Sequence, residues 1–262
     1  MLSDIQIESI RNIVIDAGKI IVSASENNLM ICQKTSNKDL VTQYDREVQS
    51  YLIGNISALI PEVVFFSEES ENDCDLMSDN LFIIDPIDGT TNFIHGLNKC
   101  AVSVAWYKKG MPYYGIVYNP FVNELFEAVK DNGAYLNTNK IHVSNLSISE
   151  SVVAFGTSPY NSETTDRTFE IIKNIYGKCQ DIRRFGSAAL DICYVACGHI
   201  GLYFEAALSL WDYAAAWLIL AEAGGLLVDF NGNVIQLSEH KTSVVAGNAA
   251  IIEDCGIISK GY

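Results

Sequence analysis

Two carboxylates stand three residues apart in the run Asp85-Pro86-Ile87-Asp88-Gly89-Thr90-Thr91-Asn92, directly after the apolar stretch Leu81 to Ile84. Acids in that setting are not core residues, because a buried, unpaired carboxylate costs several kcal/mol. Oxygen ligands of this kind suit hard divalent cations such as Mg²⁺, which also keep some water and take phosphate oxygens. Gly89-Thr90-Thr91 is placed to open a helix and to aim backbone N–H groups at an anion. Ligand acids followed at once by an anion-cradling turn suit metal-assisted phosphoryl hydrolysis. Alone, Asp85-x-x-Asp88-Gly89 describes a surface Asx-turn equally well. Two further acids shift the balance: Glu68 ends the apolar run Val63 to Phe66, and Asp212 opens a nearly all-apolar segment after Trp211. Each stands at the mouth of a buried element, where an unpaired charge is expensive.

The elements that must carry these acids are legible from periodicity. Ile10, Ile13, Val14, Ala17, Ile20 and Ile21 fall at helical spacing between Asp4 and Asn27. Thr42 is placed to cap a second helix that runs to about Ile60 and stops at Pro61. Val63 to Phe66 and Leu81 to Ile84 read as buried strands that deliver Glu68 and Asp85. Val102 to Tyr107, Tyr113 to Tyr118 and Glu124 to Val129, separated by turn residues, predict an antiparallel meander. The second half alternates: strands near Val152, Ile182, Leu202 and Ser243, with helices over 164–176, 187–197 and 211–223 and a last one at the end. The Gly224-Gly225 pair suits the end of the third of these. The pattern predicts an α+β chain in layers, helices and sheets alternating, with an antiparallel first sheet and a smaller second one. One unit spans 1–262, its first layer pair over about 1–145 and its second over about 146–262.

Composition narrows the class. With 262 residues, 49% hydrophobic and 19% charged, the chain resembles an ordinary globular protein. No apolar run reaches the roughly 18 to 20 residues that cross a bilayer. Asp4 and Glu8 stand where a secretory leader would be basic and then apolar, so a cytoplasmic protein is expected. Seven cysteines at irregular spacing read as free thiols, Cys193 and Cys197 included. A net charge of −15 argues against a nucleic-acid surface. It would also repel a phosphate ester, unless bound cations reverse the sign locally.

Asp85 to Phe93 resembles the first signature of the inositol monophosphatase family, and Trp211-Asp212-Tyr213-Ala214-Ala215 with Glu222-Ala223-Gly224-Gly225 resembles the second. Asp39-Leu40-Val41-Thr42 with Asp45, and then Glu68-Glu69-Ser70, match upstream blocks in the same order, so the resemblance covers essentially the whole chain. It implies a layered αβαβα sandwich of the sugar-phosphatase type, a Mg²⁺-dependent and Li⁺-sensitive phosphatase, and a homodimer. It implies that Glu68, Asp85 and the Ile87 carbonyl hold one ion and that Asp85, Asp88 and Asp212 hold a second. A third, weaker ion sits beside Glu68, and Mn²⁺ is a substitute. It implies that Thr90 and Glu68 activate and aim the attacking water, with Asp45 hydrogen-bonded behind Thr90, and that the backbone of Gly89, Thr90 and Thr91 receives the phosphate. Ser187, the Ala188 backbone and Glu205 meet the hydroxyls of the substrate, joined by Asp88. Glu69 and Lys34 lie near the metal site.

Within the same resemblance the substrate is a small phosphate ester, myo-inositol monophosphate first. Fructose 1,6-bisphosphate and 3′-phosphoadenosine 5′-phosphate are alternatives that need a second cationic pocket, for which Arg183 and Arg184 are the candidates; salt-bridge or interface roles suit that pair better. His95 is expected to be structural, since Mg²⁺ prefers oxygen. From another class, a regulatory binding protein of transcription or ribosome assembly competes, without a basic patch in its favour. Phe82, Asn98 and Ala216 replace the Trp, Pro and Gly common in the family; none of the three is a metal ligand.

Overall fold

The computed structural model describes residues 1–25, 31–33, 40–159 and 162–258. Almost every long strand is apolar on both sides, so each sheet needs a cover on both faces. The chain meets that demand with helix α1 (Asp4–Ser25), strands β1 (Ile31–Gln33) and β2 (Leu40–Thr42), helix α2 (Gln43–Leu59), strands β3 (Val64–Ser67) and β4 (Leu81–Asp88), and the short helix α3 (Thr90–Ile94). A meander follows: β5 (Ala101–Lys108), β6 (Met111–Asn119), β7 (Glu124–Val129), β8 (Ala134–Leu136) and β9 (Asn139–Ile141). The second half holds β10 (Val152–Phe155), α4 (Thr165–Tyr176), β11 (Asp181–Arg183), α5 (Ala188–Ala196), β12 (Leu202–Leu208), α6 (Leu210–Glu222), β13 (Leu226–Val228), β14 (Thr242–Gly247) and α7 (Ala249–Asp254).

The layers can be read from which side chains cluster. Ile10, Val14, Ala17 and Ile21 of α1 and Val48, Leu52 and Ile56 of α2 pack on Phe82, Ile84, Val102 and Val104, one face of the first sheet. Leu81, Ile83, Ala105 and Tyr107 point the other way, onto α5 and α6. Those two helices are buried on nearly every side because Tyr203, Val244 and Ala246 of the second sheet close over them, which accounts for their lack of a polar face. The far side of that sheet, Val153, Leu202, Phe204 and Val245, is covered by Ile175 of α4 and by Ile251 and Ile252 of α7. The order is α, β, α, β, α, as expected.

One expectation is corrected. The first sheet, in the order β3-β4-β5-β6-β7-β8-β9, is mixed: β3 runs parallel to β4, and the remaining pairs are antiparallel. The meander pattern covered only β5 onward; between β3 and β4 the loop 68–80 carries the chain back to start β4 in the same direction. The parallel pairing has a consequence for the site. It brings the C-terminal ends of two strands together, with Ser67 opposite Ile84, so that Glu68 and Asp85 emerge side by side. The second sheet, β11-β10-β12-β14-β13, is smaller and also mixed. Asn98 has φ 57, a left-handed conformation that proline does not adopt, so the loop after α3 turns differently from one built on Pro. Phe82 and Ala216 are both fully buried.

Candidate active site

Asp85 and Asp88 are an odd number of residues apart, and regular strand alternation would send them to opposite faces. The β4–β5 ladder breaks between them: Asp85 pairs with Ser103 and Asp88 with Ala101, three steps on one strand against two on the other. This bulge at Pro86-Ile87 turns both carboxylates to the same side, and a bulge is where a strand tolerates proline. The Ile87 N–H donates to Asp85 Oδ1 at 3.0 Å, holding the turn. Gly89 then takes φ 93, and a side chain on it would strike the Lys99 and Gly186 carbonyls at 2.9 and 3.1 Å, so glycine is required.

Helix starts place the other acids. Asp45 is the third residue of α2 and closes a capping box: Thr42 donates its N–H and its hydroxyl to Asp45 Oδ2 at 2.7 and 2.6 Å. The other oxygen, Oδ1, lies 3.1 Å from the Thr90 hydroxyl, which lies 3.1 Å from the Ile87 carbonyl as well. Asp212 occupies the same position in α6, accepting from the Ser209 N–H at 2.7 Å. Asp88 reaches across the layers to the start of α5 and accepts from the Ser187 hydroxyl at 2.5 Å and from the Ala189 and Ala188 N–H groups at 2.7 and 3.3 Å. The Asn92 amide ties the two halves together, donating to the Lys99 and Phe185 carbonyls at 2.7 Å each.

Asp85, Asp88 and Asp212 thus come from a strand and a helix far apart in sequence, yet each offers an oxygen within 4.8 Å of the others. Asp85 and Asp88 are buried and Asp212 partly so. Loss of water, then the charges of Glu68, Asp88 and Asp212, holds the Asp85 carboxyl well above the usual range. Burial pushes Asp88 up to about 7, against the donors from Ser187 and Ala189. Asp212 is likewise held well above its ordinary value, by burial and then by Asp88 and Glu68. Like charges at this spacing, with hard oxygen donors only, fit divalent cations of the Mg²⁺ class and disfavour soft metals. Glu68 lines the same cavity of about 320 Å³ as Asp88 and Asp212.

The same cavity is also lined by Gly156, Pro159, Arg184, Asp191, Tyr203 and Glu205. Glu205 is buried and accepts from the Ser158 N–H and hydroxyl at 2.7 and 3.0 Å and from the Tyr203 hydroxyl at 2.6 Å. Burial raises its carboxyl, and those donors oppose the shift. The Ser187 hydroxyl and Ala188 N–H, expected to meet substrate, are directed at Asp88. The Glu69 N–H is held by Gln49 at 2.9 Å, and the Glu69 charge helps to raise Asp45, whose main perturbation is burial. Lys34 lies outside the described residues. His95 is exposed at the end of α3. The two arginines separate: Arg183 pairs with Asp181 outside the cavity, whereas Arg184 lines it and opposes the raised carboxyls of Asp191 and Glu205.

Sequence reasoning passed over three residues here. Asp191 is buried, and its Oδ1 has no hydrogen-bond partner among the described residues; its signal was a lone charge in the apolar run Ala188 to Ala196. Tyr203 looked like any strand aromatic. Ser158 stands before Pro159 in a stretch that periodicity assigns to no element. Neither gave a local sign of the carboxylate it serves.

The profile of the inositol monophosphatase family matches residues 4–259. Over 219 residues the chain is 40% identical to the Nus factor SuhB of Pasteurella multocida, a match covering 82% of each chain. It is 38% identical over 210 residues to inositol monophosphatase 2 of Saccharomyces cerevisiae, covering 76% of this chain and 72% of that one. Among solved structures, the extragenic suppressor protein suhB from Bartonella henselae superposes with a TM-score of 0.90 at 33% identity, covering 98% of this chain and 99% of the other. With the fold, the acid cluster and these relatives in agreement, the chain belongs to the inositol monophosphatase family.

Proposed function

We propose that this protein hydrolyses the phosphate monoester of a small polyol, myo-inositol monophosphate first among them, by direct attack of water. The new bond joins the water oxygen to phosphorus, the bond from phosphorus to the alcohol oxygen breaks, and the products are inorganic phosphate and the alcohol. The convergence of Asp85, Asp88 and Asp212 within 4.8 Å carries the proposal. Glu68, Asp85 and the Ile87 carbonyl would hold one Mg²⁺, Asp85, Asp88 and Asp212 a second, and the surroundings of Glu68 a third. When bound, such ions supply acidity for the attacking water and offset charge on the phosphate and the leaving oxygen.

The protein groups divide the remaining work. The Thr90 hydroxyl has one proton and two acceptors in reach, Asp45 Oδ1 and the Ile87 carbonyl. Its proton is therefore committed, and its lone pairs face a water as acceptors. Asp45, fixed by Thr42, keeps that orientation. The Gly89, Thr90 and Thr91 N–H groups, unpaired within the helix by their position, receive the phosphate. Because α3 has only five residues, these local donors matter more than any helix dipole. Ser187 and Ala188 hold Asp88, and Glu205 meets the leaving alcohol. Glu69 supports the Asp45 side.

The test is release of inorganic phosphate from a panel of inositol, fructose and adenosine phosphates with Mg²⁺, with Mn²⁺ and with chelator. Release only with metal, and fastest from inositol monophosphate, is expected; metal-independent release would overturn it. The same proposal includes a cytoplasmic homodimer inhibited by Li⁺, checked by light scattering and by LiCl titration. The relative named Nus factor favours a second, regulatory role in transcription. Co-purification of a defined transcription complex with this chain, at physiological salt, would support that role.

A further inference from the structure

Glu205 lines the cavity and, on the function proposed above, meets the leaving alcohol; its surroundings are built more tightly than a solvated acceptor needs. A side-chain carbon on Gly156 would fall 1.9 Å from Glu205 Oε2, so only glycine leaves room for the carboxylate. Ser158 adopts φ 40, a left-handed conformation uncommon for a residue with a side chain. It is buried and stitched to β12 from both sides: its N–H and hydroxyl approach Glu205 Oε1 at 2.7 and 3.0 Å, its hydroxyl lies 3.0 Å from the Ala207 carbonyl, and the Ala207 N–H donates back to it at 3.1 Å.

Counting lone pairs gives the consequence. A carboxylate oxygen accepts two good hydrogen bonds. The single Ser158 hydroxyl proton goes to the charged oxygen in preference to the neutral carbonyl. Among the described residues Oε1 is then filled by Ser158 alone, and Oε2 has one place left beside the Tyr203 hydroxyl at 2.6 Å.

We propose that Ser158 is a positioning residue that makes Glu205 a reader of one substrate hydroxyl, at Oε2, instead of a two-oxygen acceptor for a vicinal pair. The inference rests on the phosphatase activity proposed above and deepens it. The substrate class is a polyol monophosphate recognised through a single leaving-group hydroxyl, and neighbouring hydroxyls contribute little at this wall.

The experiment uses the full chain with Mg²⁺, myo-inositol monophosphate, its monodeoxy analogues and p-nitrophenyl phosphate, whose leaving group has no hydroxyl to read. In the wild type, loss of one hydroxyl is expected to lower kcat/KM about tenfold or more, while loss of either neighbour costs less than about threefold. Ser158→Gly keeps the left-handed backbone and removes the hydroxyl. It is expected to lower the ratio of kcat/KM for inositol monophosphate to that for p-nitrophenyl phosphate by about tenfold, through KM. Two adjacent hydroxyls of equal weight in the wild type would overturn the proposal. So would a Ser158→Gly variant in which both substrates fall together, as a purely structural role requires, or in which neither changes. Wild-type turnover of p-nitrophenyl phosphate without any hydroxyl preference would sink this inference alone. No release from any ester would sink the phosphatase proposal with it.

Discussion

Two groups of buried carboxylates, the Asp85–Asp88–Asp212 cluster and Glu205, are treated in opposite ways. In the cluster, Asp85 and Asp212 carry raised pKa values in which burial is followed by the charges of neighbouring acids. Glu205 is also raised by burial, but the next influences are hydrogen bonds from Tyr203 and Ser158 that pull it back. The cluster is left incomplete by the protein's own atoms; the surroundings of Glu205 are nearly closed. An acid group supplied with donors is finished by the fold, whereas acids set against one another need something positive from outside. Asp88 stands between the two cases, crowded by acids yet served by Ser187 and the start of α5.

Changes in the crowded cluster should break this contrast most sharply. Asp88→Asn and Asp212→Asn are each expected to lower turnover about a thousandfold or more, because each removes a charge that a cation requires. Melting of the metal-free variants should match or exceed that of the metal-free wild type, since a repulsion has gone; a large loss of melting temperature would show that these acids serve the fold instead. Next comes Thr90→Ala, which removes the water-orienting hydroxyl and leaves the acids in place. A fall of about a hundredfold in kcat with metal affinity unchanged is expected, read by phosphate release and by Mg²⁺ titration.

The third prediction concerns pH. Asp85, Asp88 and Asp212 all bind protons more tightly in the folded chain than in the unfolded one. Their contribution to stability is therefore complete below the ordinary carboxylate pKa and is lost as pH rises, through about 7 for Asp88. Each such proton costs about 1.4 kcal/mol per pH unit within that window. Metal-free protein should melt lower at pH 8 than at pH 5, and saturating Mg²⁺ should remove most of the difference. A metal-free protein that melts higher at pH 8 would contradict the crowding. The smallest effect is expected from Arg183→Ala: the residue is exposed and paired with Asp181 away from both groups, so kcat/KM should stay within about twofold.

Much of the layering was readable from the chain, because buried elements leave a plain mark. The apolar runs Leu81 to Ile84 and Tyr213 to Ala221 announced a covered strand and a covered helix, and Thr42 announced the start of α2. Local devices were legible for the same reason: Asp45 follows Thr42 by three residues, as a capping box requires. Pairing direction was not. Nothing in Val64–Ser67 distinguishes a parallel from an antiparallel neighbour, since both need the same apolar side chains. Contacts between distant segments were equally hidden: Ser187 and Glu205 were both expected to face substrate, and only the fold reveals that the Ser187 hydroxyl is directed at Asp88 and that Ser158 donates to Glu205.

The break in the β4–β5 ladder shows how the site is encoded. Between Asp85 and Asp88 the number of residues matters as much as their kind, for the extra step at Pro86-Ile87 decides whether the two acids face each other or turn their backs. A deletion of one residue there would keep every carboxylate in the chain and still dismantle the cluster. Insertions and deletions at this point are thus more damaging than most substitutions, and a spacing of three between the acids is itself part of the chemistry.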